Sequence, residues 1–292
     1  MKYSGDFLAA VLVEQNAPLE IKRLTLPSEL AFGQVLVKLH YSGICGSQLG
    51  EIDGVKGPDK FFPHLLGHEG SASVIDIGPG VTSVIEGDLV VLHWRKGEGL
   101  QAQPPQYFSS GQKINAGWLT TFNEYAIISE NRMTSIPKHI CPKVAALFGC
   151  AVTTGFGVIE NNAKIKIGES IVVFGAGGIG LNIIQAAKMS SAYPIIAVDQ
   201  YDNRLELAKK FGATHVINSK KQVSRLELEA ILDSEKADIF IDNTGIPEII
   251  SMGYSLTKQQ GKIVLVGVPR KGKDTCIHTL PLHFGKSLIG SH

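Results

Sequence analysis

Cysteine is scarce in this chain: four in 292 residues, at positions 45, 141, 150 and 276. So few, so widely spaced, exclude a disulfide-stapled scaffold and suit a reduced compartment in which some thiolates bind metal. An excess of either charge is also lacking. Lys and Arg number 28 against 27 Asp and Glu, a formal net charge of +1, so neither a nucleic-acid surface nor a strongly acidic partner is indicated. The apolar stretch near the start, Phe7 to Val13, follows a single Lys and ends at Glu14. It is short for a signal peptide and far short of a membrane span, and reads as a strand of a cytoplasmic protein. Internal repeats, low-complexity tracts and coiled-coil heptads are absent as well.

What is present divides the chain in two. At ~150 residues per domain the length predicts about two domains, each large enough for its own core. Residues 1–155 carry short β-type runs broken by Gly and Pro: Ala9–Val13, Gln34–Tyr41, Ser71–Ile77, Asp88–His93 and Glu124–Ile128. The stretch Arg95 to Gly117, with its Pro104–Pro105 pair and little periodic signal, reads as a long excursion loop. Residues 156–292 change to strand then helix. Strands are predicted at Ser170–Phe174, Pro194–Val198, His215–Ile217, Asp238–Ile241, Lys262–Val266 and Ser287–Gly290, with helices over about Gly178–Ser190 and Asp202–Phe211. Apolar runs of this kind between helices predict a doubly wound parallel sheet covered on both faces, an α/β fold.

In the second half Ile171-Val172-Val173-Phe174 runs into Gly175-Ala176-Gly177-Gly178-Ile179-Gly180, so G-x-G-x-x-G closes a strand and opens a helix. Gly175 suits the tight turn, Gly177 the approach of a pyrophosphate, and Gly180 close packing of helix on sheet. The helix start, at Gly178 and Ile179, offers unpaired N–H groups to an anion. The next strand ends in Asp199, placed to accept from ribose hydroxyls. That carboxylate repels a 2′-phosphate and Gln200 follows it, which favours NAD over NADP, although Arg204 lies near.

In the first half Cys45 sits in Gly43-Ile44-Cys45-Gly46-Ser47, His68 in Gly67-His68-Glu69-Gly70, and Cys150 in Gly149-Cys150-Ala151-Val152-Thr153-Thr154-Gly155. Singly these are ordinary: most free cysteines are small buried hydrophobes, and spacing cannot join residues so far apart. Their local contexts, with the cofactor motif and the segments Ala9-Ala10-Val11-Leu12 and Lys286-Ser287-Leu288-Ile289-Gly290-Ser291, resemble the zinc-dependent alcohol dehydrogenases of the medium-chain dehydrogenase family over nearly the whole chain. That resemblance implies a mainly β, GroES-like catalytic domain over residues 1–155 and a Rossmann NAD domain over 156–292, with the active site in the cleft between. It implies one catalytic zinc held by Cys45, His68 and Cys150, Ser47 as the hydroxyl that relays the substrate proton, and Glu69 as the acid behind the metal. Trp94 falls at an aromatic wall of the substrate pocket, next to the cations Arg95 and Lys96. A homodimer or homotetramer acting on a small alcohol or aldehyde is implied too.

The sequence also departs from that family. No cysteine occurs between 46 and 140, so a second, structural zinc is not expected. Gln48 and Gly50 stand where many members have an acid and a histidine on the proton path, so proton release takes another route, His64 and Glu51 being candidates. Relatives continue beyond a Gly-Ser segment like that before His292, which leads to the expectation that the chain binds NAD better than it turns over. Two rival readings are a polyol or sugar dehydrogenase of the same family, which Cys150 in place of an acid disfavours, and a nucleotide-binding relative without turnover.

Overall fold

The computed structural model describes residues 5–220, 225–232 and 235–291, and it divides into two compact units, Met1–Cys150 and Ala151–His292. Among the described residues, no single helix is long and apolar enough to cross a membrane.

The first unit is built from β1 (Asp6–Leu12), β2 (Glu20–Thr25), β3 (Gln34–Ser42), α1 (Gly46–Ile52), β4 (His64–Leu65), β5 (Glu69–Ile77), β6 (Leu89–His93), β7 (Gln106–Ser109), β8 (Gln112–Asn115), β9 (Tyr125–Ser129), β10 (Met133–Ile136) and the short α2 (Pro142–Ala145). A small closed barrel runs β1-β2-β7-β8-β4, and a five-stranded sheet runs β10-β6-β5-β3-β9. Alternating inward residues fill each. Phe7, Leu24, Tyr107 and Ile114 pack the barrel, while Val35, Val37, Val74, Val90 and Leu92 pack the sheet.

The expected excursion loop over Arg95–Gly117 needs correction, because it holds the hairpin β7–β8. Ser110 and Gly111 both take positive φ, 48° and 80°, which is the two-residue turn whose twist suits a hairpin. Only Tyr107 and Ile114 of the two strands are buried, both fully. One inward residue per strand is too little for a period-2 signal, and the Ser-Gly turn was the available clue.

The second unit continues with α3 (Ala151–Gly157), a π-helical turn (Val158–Ala163), β11 (Ile171–Phe174), α4 (Gly178–Met189), β12 (Ile195–Asp199), α5 (Asp202–Phe211), β13 (His215–Asn218), α6 (Arg225–Ile231), β14 (Ala237–Asp242), α7 (Pro247–Leu256), β15 (Thr257–Leu265) and β16 (Ser287–Gly290). Its parallel strands lie in the order β13-β12-β11-β14-β15-β16. That is the doubly wound order in which the chain reverses beside the first strand, leaving a crevice at the carboxyl ends of β11 and β14. Residues of β11 alternate between faces: Ile171 and Val173 join Ile183, Ile184 and Ala187 of α4, whereas Val172 and Phe174 join Phe240 and Tyr254. Burial on both faces explains why its strands read as unbroken apolar runs.

Candidate functional site

Three donors from distant parts of the first unit converge. Cys45 precedes α1, His68 precedes β5, and Cys150 follows the helical turn Ala146–Gly149. Their ligand atoms all lie within 4.8 Å of one another. Two thiols and an imidazole are the donor set zinc takes, and the electrostatics agree. The Cys45 thiol is drawn down to about 3 by hydrogen bonds with Cys150 first and then His68, against the opposing effect of burial. A thiol so depressed is a thiolate, the form that binds metal.

Neighbouring side chains hold this cluster. Gln48, buried in α1, accepts the Cys45 N–H on Oε1 at 3.0 Å, and its amide meets Nδ1 of His68. Ser47 Oγ lies 3.4 Å from the same ring nitrogen. Glu69 is buried, and its carboxyl lies against the backbone of Gly43, where even a methyl group would sit 2.3 Å from Oε1. Gly43 therefore makes the room that this acid occupies beside the cluster. In the β5–β6 ladder Glu69 pairs with His93. The half-buried Trp94 follows His93 directly in the chain, as His68 precedes Glu69. The Arg95 guanidinium lies 5.7 Å from the Trp94 ring centroid.

In the second unit the glycine motif forms the turn from β11 into α4. Gly175 has φ +95°, and a Cβ on Gly180 would meet the Gly175 carbonyl oxygen at 1.9 Å, so the helix packs here only without a side chain. Above Gly177 and Gly178 there is open space, a cradle that any side chain would fill. Ile179 turns its side chain into the core, which leaves its N–H as what it offers a ligand. Asp199, buried at the end of β12, accepts from the Ala176 N–H at 2.8 Å and from the Tyr201 N–H at 3.0 Å. Arg204 reaches it at 3.5 Å and also lies 4.8 Å from the Tyr201 ring.

Two further groups bear on these sites: Asn243, which the sequence reading did not single out, and a cluster that adds Asp59 to the sequence candidates Glu51 and His64. Asn243, just past β14, donates to the Gly175 carbonyl at 3.1 Å while its buried Oδ1 has no partner. An unpaired buried acceptor beside the glycine turn fits a site built for a dinucleotide; the turn cluster Asn243-Thr244-Gly245 after an apolar strand was its sequence signal. The second group is Glu51, Asp59 and His64, whose polar atoms also lie within 4.8 Å of one another.

Residues 178–292 match the family of zinc-binding dehydrogenases, and residues 31–138 match the alcohol dehydrogenase GroES-like domain. The S-(hydroxymethyl)glutathione dehydrogenase of Photobacterium damsela subsp. piscicida is 31% identical over 312 residues, covering 97% of this chain and 84% of the relative. The crystal structure of benzyl alcohol dehydrogenase from Acinetobacter calcoaceticus superposes with a TM-score of 0.86 at 32% identity, covering 98% of this chain and 84% of that one. An alcohol dehydrogenase zinc-binding domain protein from Burkholderia ambifaria gives a TM-score of 0.87 at 27% identity, over 99% and 84% of the two chains. With the donor cluster, the GroES-like first unit and the Rossmann order of the second already in place, these likenesses show that the chain belongs to the zinc-binding alcohol dehydrogenase family of medium-chain dehydrogenases.

Proposed function

We propose that this chain oxidises an alcohol, or reduces the matching aldehyde or ketone, with NAD(H) as hydride partner and one zinc ion held by Cys45, His68 and Cys150. The observation that carries the reading is the convergence of those three donors within 4.8 Å from positions 45, 68 and 150. When bound, zinc supplies Lewis acidity that makes a hydroxyl more acidic, and NAD accepts the hydride.

The chain's own residues do the rest. Gln48 orients His68, and Glu69, next to it in the chain, sets a buried carboxylate against Gly43. Ser47, exposed on α1, holds a hydroxyl at the cluster's edge that accepts a substrate proton at Oγ. The turn Gly175–Gly180 and the first N–H groups of α4 bind a pyrophosphate, because unpaired amides and the helix dipole both favour an anion there. Asp199 accepts from a ribose and disfavours a 2′-phosphate. Use of NADP is the second reading: Arg204 and Lys220 flank the Tyr201 ring at 4.8 and 4.7 Å, and Arg204, 3.5 Å from Asp199, is near enough to serve a phosphate.

The test is direct. Zinc-loaded protein is incubated with NAD and a panel of primary, secondary, aromatic and acid-bearing alcohols while NADH absorbance is followed, and aldehydes are run in reverse. NADH formation with at least one alcohol is expected. No NADH with any alcohol and no NADH consumption with any aldehyde, in protein shown to hold zinc, refutes the proposal.

A further inference from the structure

The three donors arrive on separate chain segments, and two hydroxyl groups that are not donors themselves help to hold those segments together. Ser42 ends β3 three residues before Cys45, and its ladder partner is Gly70, two residues after His68. Its Oγ lies 3.1 Å from the Glu69 carbonyl oxygen, 3.2 Å from the Gly43 carbonyl oxygen and 2.7 Å from Thr121 Oγ1. A hydroxyl has one proton to give, and a carbonyl only accepts. The Ser42 proton therefore goes to the carbonyls, and the Thr121 hydroxyl donates to Ser42.

Thr121 is fixed in its turn. It is only 2% exposed, so it meets no substrate, and its N–H and that of Phe122 both donate to the Leu66 carbonyl, at 3.0 and 3.2 Å. Its side chain fills the space left by two glycines that bracket His68 and Glu69. At Gly67, with φ +96°, a Cβ would collide with Thr121 Oγ1, and on Gly70 it would lie 3.3 Å from Thr121 Cγ2. Glu69 is where the other segments come to rest. The Gly43 N–H donates to its carbonyl at 3.3 Å, and Gly149, the residue before Cys150, packs against its Cα and Cβ. One chain of hydrogen bonds, from Thr121 to Ser42 to the Glu69 carbonyl, thus ties the segment that leads to Cys45 to the segment that carries His68.

We propose that Thr121 is a positioning residue of the metal centre: acting through Ser42, its hydroxyl sets the separation of the Cys45 and His68 segments, and with it the affinity and geometry of the zinc site. The proposal rests on the assignment of zinc to Cys45, His68 and Cys150. Linked hydrogen bonds away from water polarise and strengthen one another. Without the Thr121 proton, Ser42 Oγ loses its donor, and its rotamer is no longer held toward Glu69. Removing partners that orient metal ligands costs about 10- to 100-fold in metal affinity, and the low end applies here because these hydroxyls act through the backbone beside the ligands.

The experiment compares wild type with Thr121→Val, which keeps the wedge and removes the hydroxyl, Thr121→Ser, which keeps the hydroxyl and removes the methyl, and Ser42→Ala. Zinc affinity is measured by competition with a chromophoric chelator, and the cobalt-substituted proteins are compared by their d–d absorption bands. Thr121→Val and Ser42→Ala each weaken zinc by about 10-fold and shift the cobalt bands, whereas Thr121→Ser keeps the wild-type affinity and spectrum. The double variant Ser42→Ala with Thr121→Val binds zinc no more weakly than either single one, since both act through one chain. NADH binding, which belongs to the other unit, is unchanged throughout. A purely structural role gives a different pattern: zinc affinity follows the unfolding midpoint of the metal-free protein, and Thr121→Ser loses as much as Thr121→Val. That pattern, or wild-type zinc affinity in Thr121→Val and Ser42→Ala, overturns the positioning role. If Thr121→Val does not fold, Ser42→Ala decides alone, and an unchanged zinc affinity there refutes the proposal. A wild type that binds zinc no more tightly than Cys45→Ser overturns the metal assignment and this proposal with it.

Discussion

The Ala176 N–H donates to Asp199 Oδ2 over 2.8 Å, tying the glycine turn after β11 to the acid that ends β12. Asp199 therefore locks the cradle, and under the proposed function its remaining lone pairs would serve a ribose. NAD is expected to be preferred over NADP, and Asp199→Ala to narrow that preference by removing the charge that repels a 2′-phosphate. The same change strands the buried Ala176 N–H, so stability falls by about 2 kcal/mol. Steady-state kinetics with both cofactors, alongside thermal unfolding, read both effects. A wild type that uses NADP as well as NAD means that Arg204 and Lys220 set the cofactor choice.

The metal count follows from the donor set. About one zinc per chain is expected by elemental analysis, since among the described residues Cys45, His68 and Cys150 are the one donor cluster that contains thiols. Cys45→Ser, Cys150→Ser and His68→Ala each lose zinc and turnover while NAD still binds, measured by NADH fluorescence, because the cradle lies in the other unit. Full turnover in protein confirmed metal-free contradicts the mechanism.

Glu130 sets the acid stability of the first unit. It is fully buried and accepts N–H groups of Thr82 and Ser83 on Oε1 and of Leu100 on Oε2, all within 2.8 Å. Burial pushes its carboxyl up, but those bonds outweigh it and the net shift is downward. A depressed folded pKa contributes stability above the unfolded value and loses it as pH falls through the folded one. Glu130→Gln turns an amide NH₂ against one of these donors, which costs about 2 kcal/mol at neutral pH. The gap to wild type closes as pH falls through the carboxylate range, as denaturant titrations at several pH values measure.

How much of this was legible in the sequence depends on whether a signal was local. Asp202–Phe211 and Ser287–Gly290 fall on α5 and β16 residue for residue, because each carries its own period and boundary residues. The six-residue β2, Glu20–Thr25, has one buried residue, Leu24, and gave no pattern to read. Asp199 at a strand end after the glycine turn was local too. By contrast, Cys45, His68 and Cys150 share no spacing rule and were joined only through family resemblance, while Asp59 and His64 meet because a loop folds back. Asn243 stands opposite Gly175 only because β14 is inserted beside β11.

Trp94 and Arg95 make the last prediction, which concerns substrate choice. The two relatives with named substrates point apart: one acts on S-(hydroxymethyl)glutathione, an anion, and the other on benzyl alcohol, an uncharged aromatic. Trp94 follows His93, the ladder partner of Glu69 next to His68, and Arg95 lies over its ring. An anionic substrate needs the Arg95 charge, whereas an aromatic one needs the Trp94 surface. If the substrate is anionic, Arg95→Ala raises KM by about tenfold for S-(hydroxymethyl)glutathione with kcat unchanged, since a charged hydrogen bond is worth ~1.5 kcal/mol or more, and leaves benzyl alcohol unaffected. If it is aromatic, Trp94→Ala raises KM for benzyl alcohol and Arg95→Ala changes neither. Kinetics of both variants on both alcohols separate the cases, and no effect from either variant removes this pair from the substrate pocket.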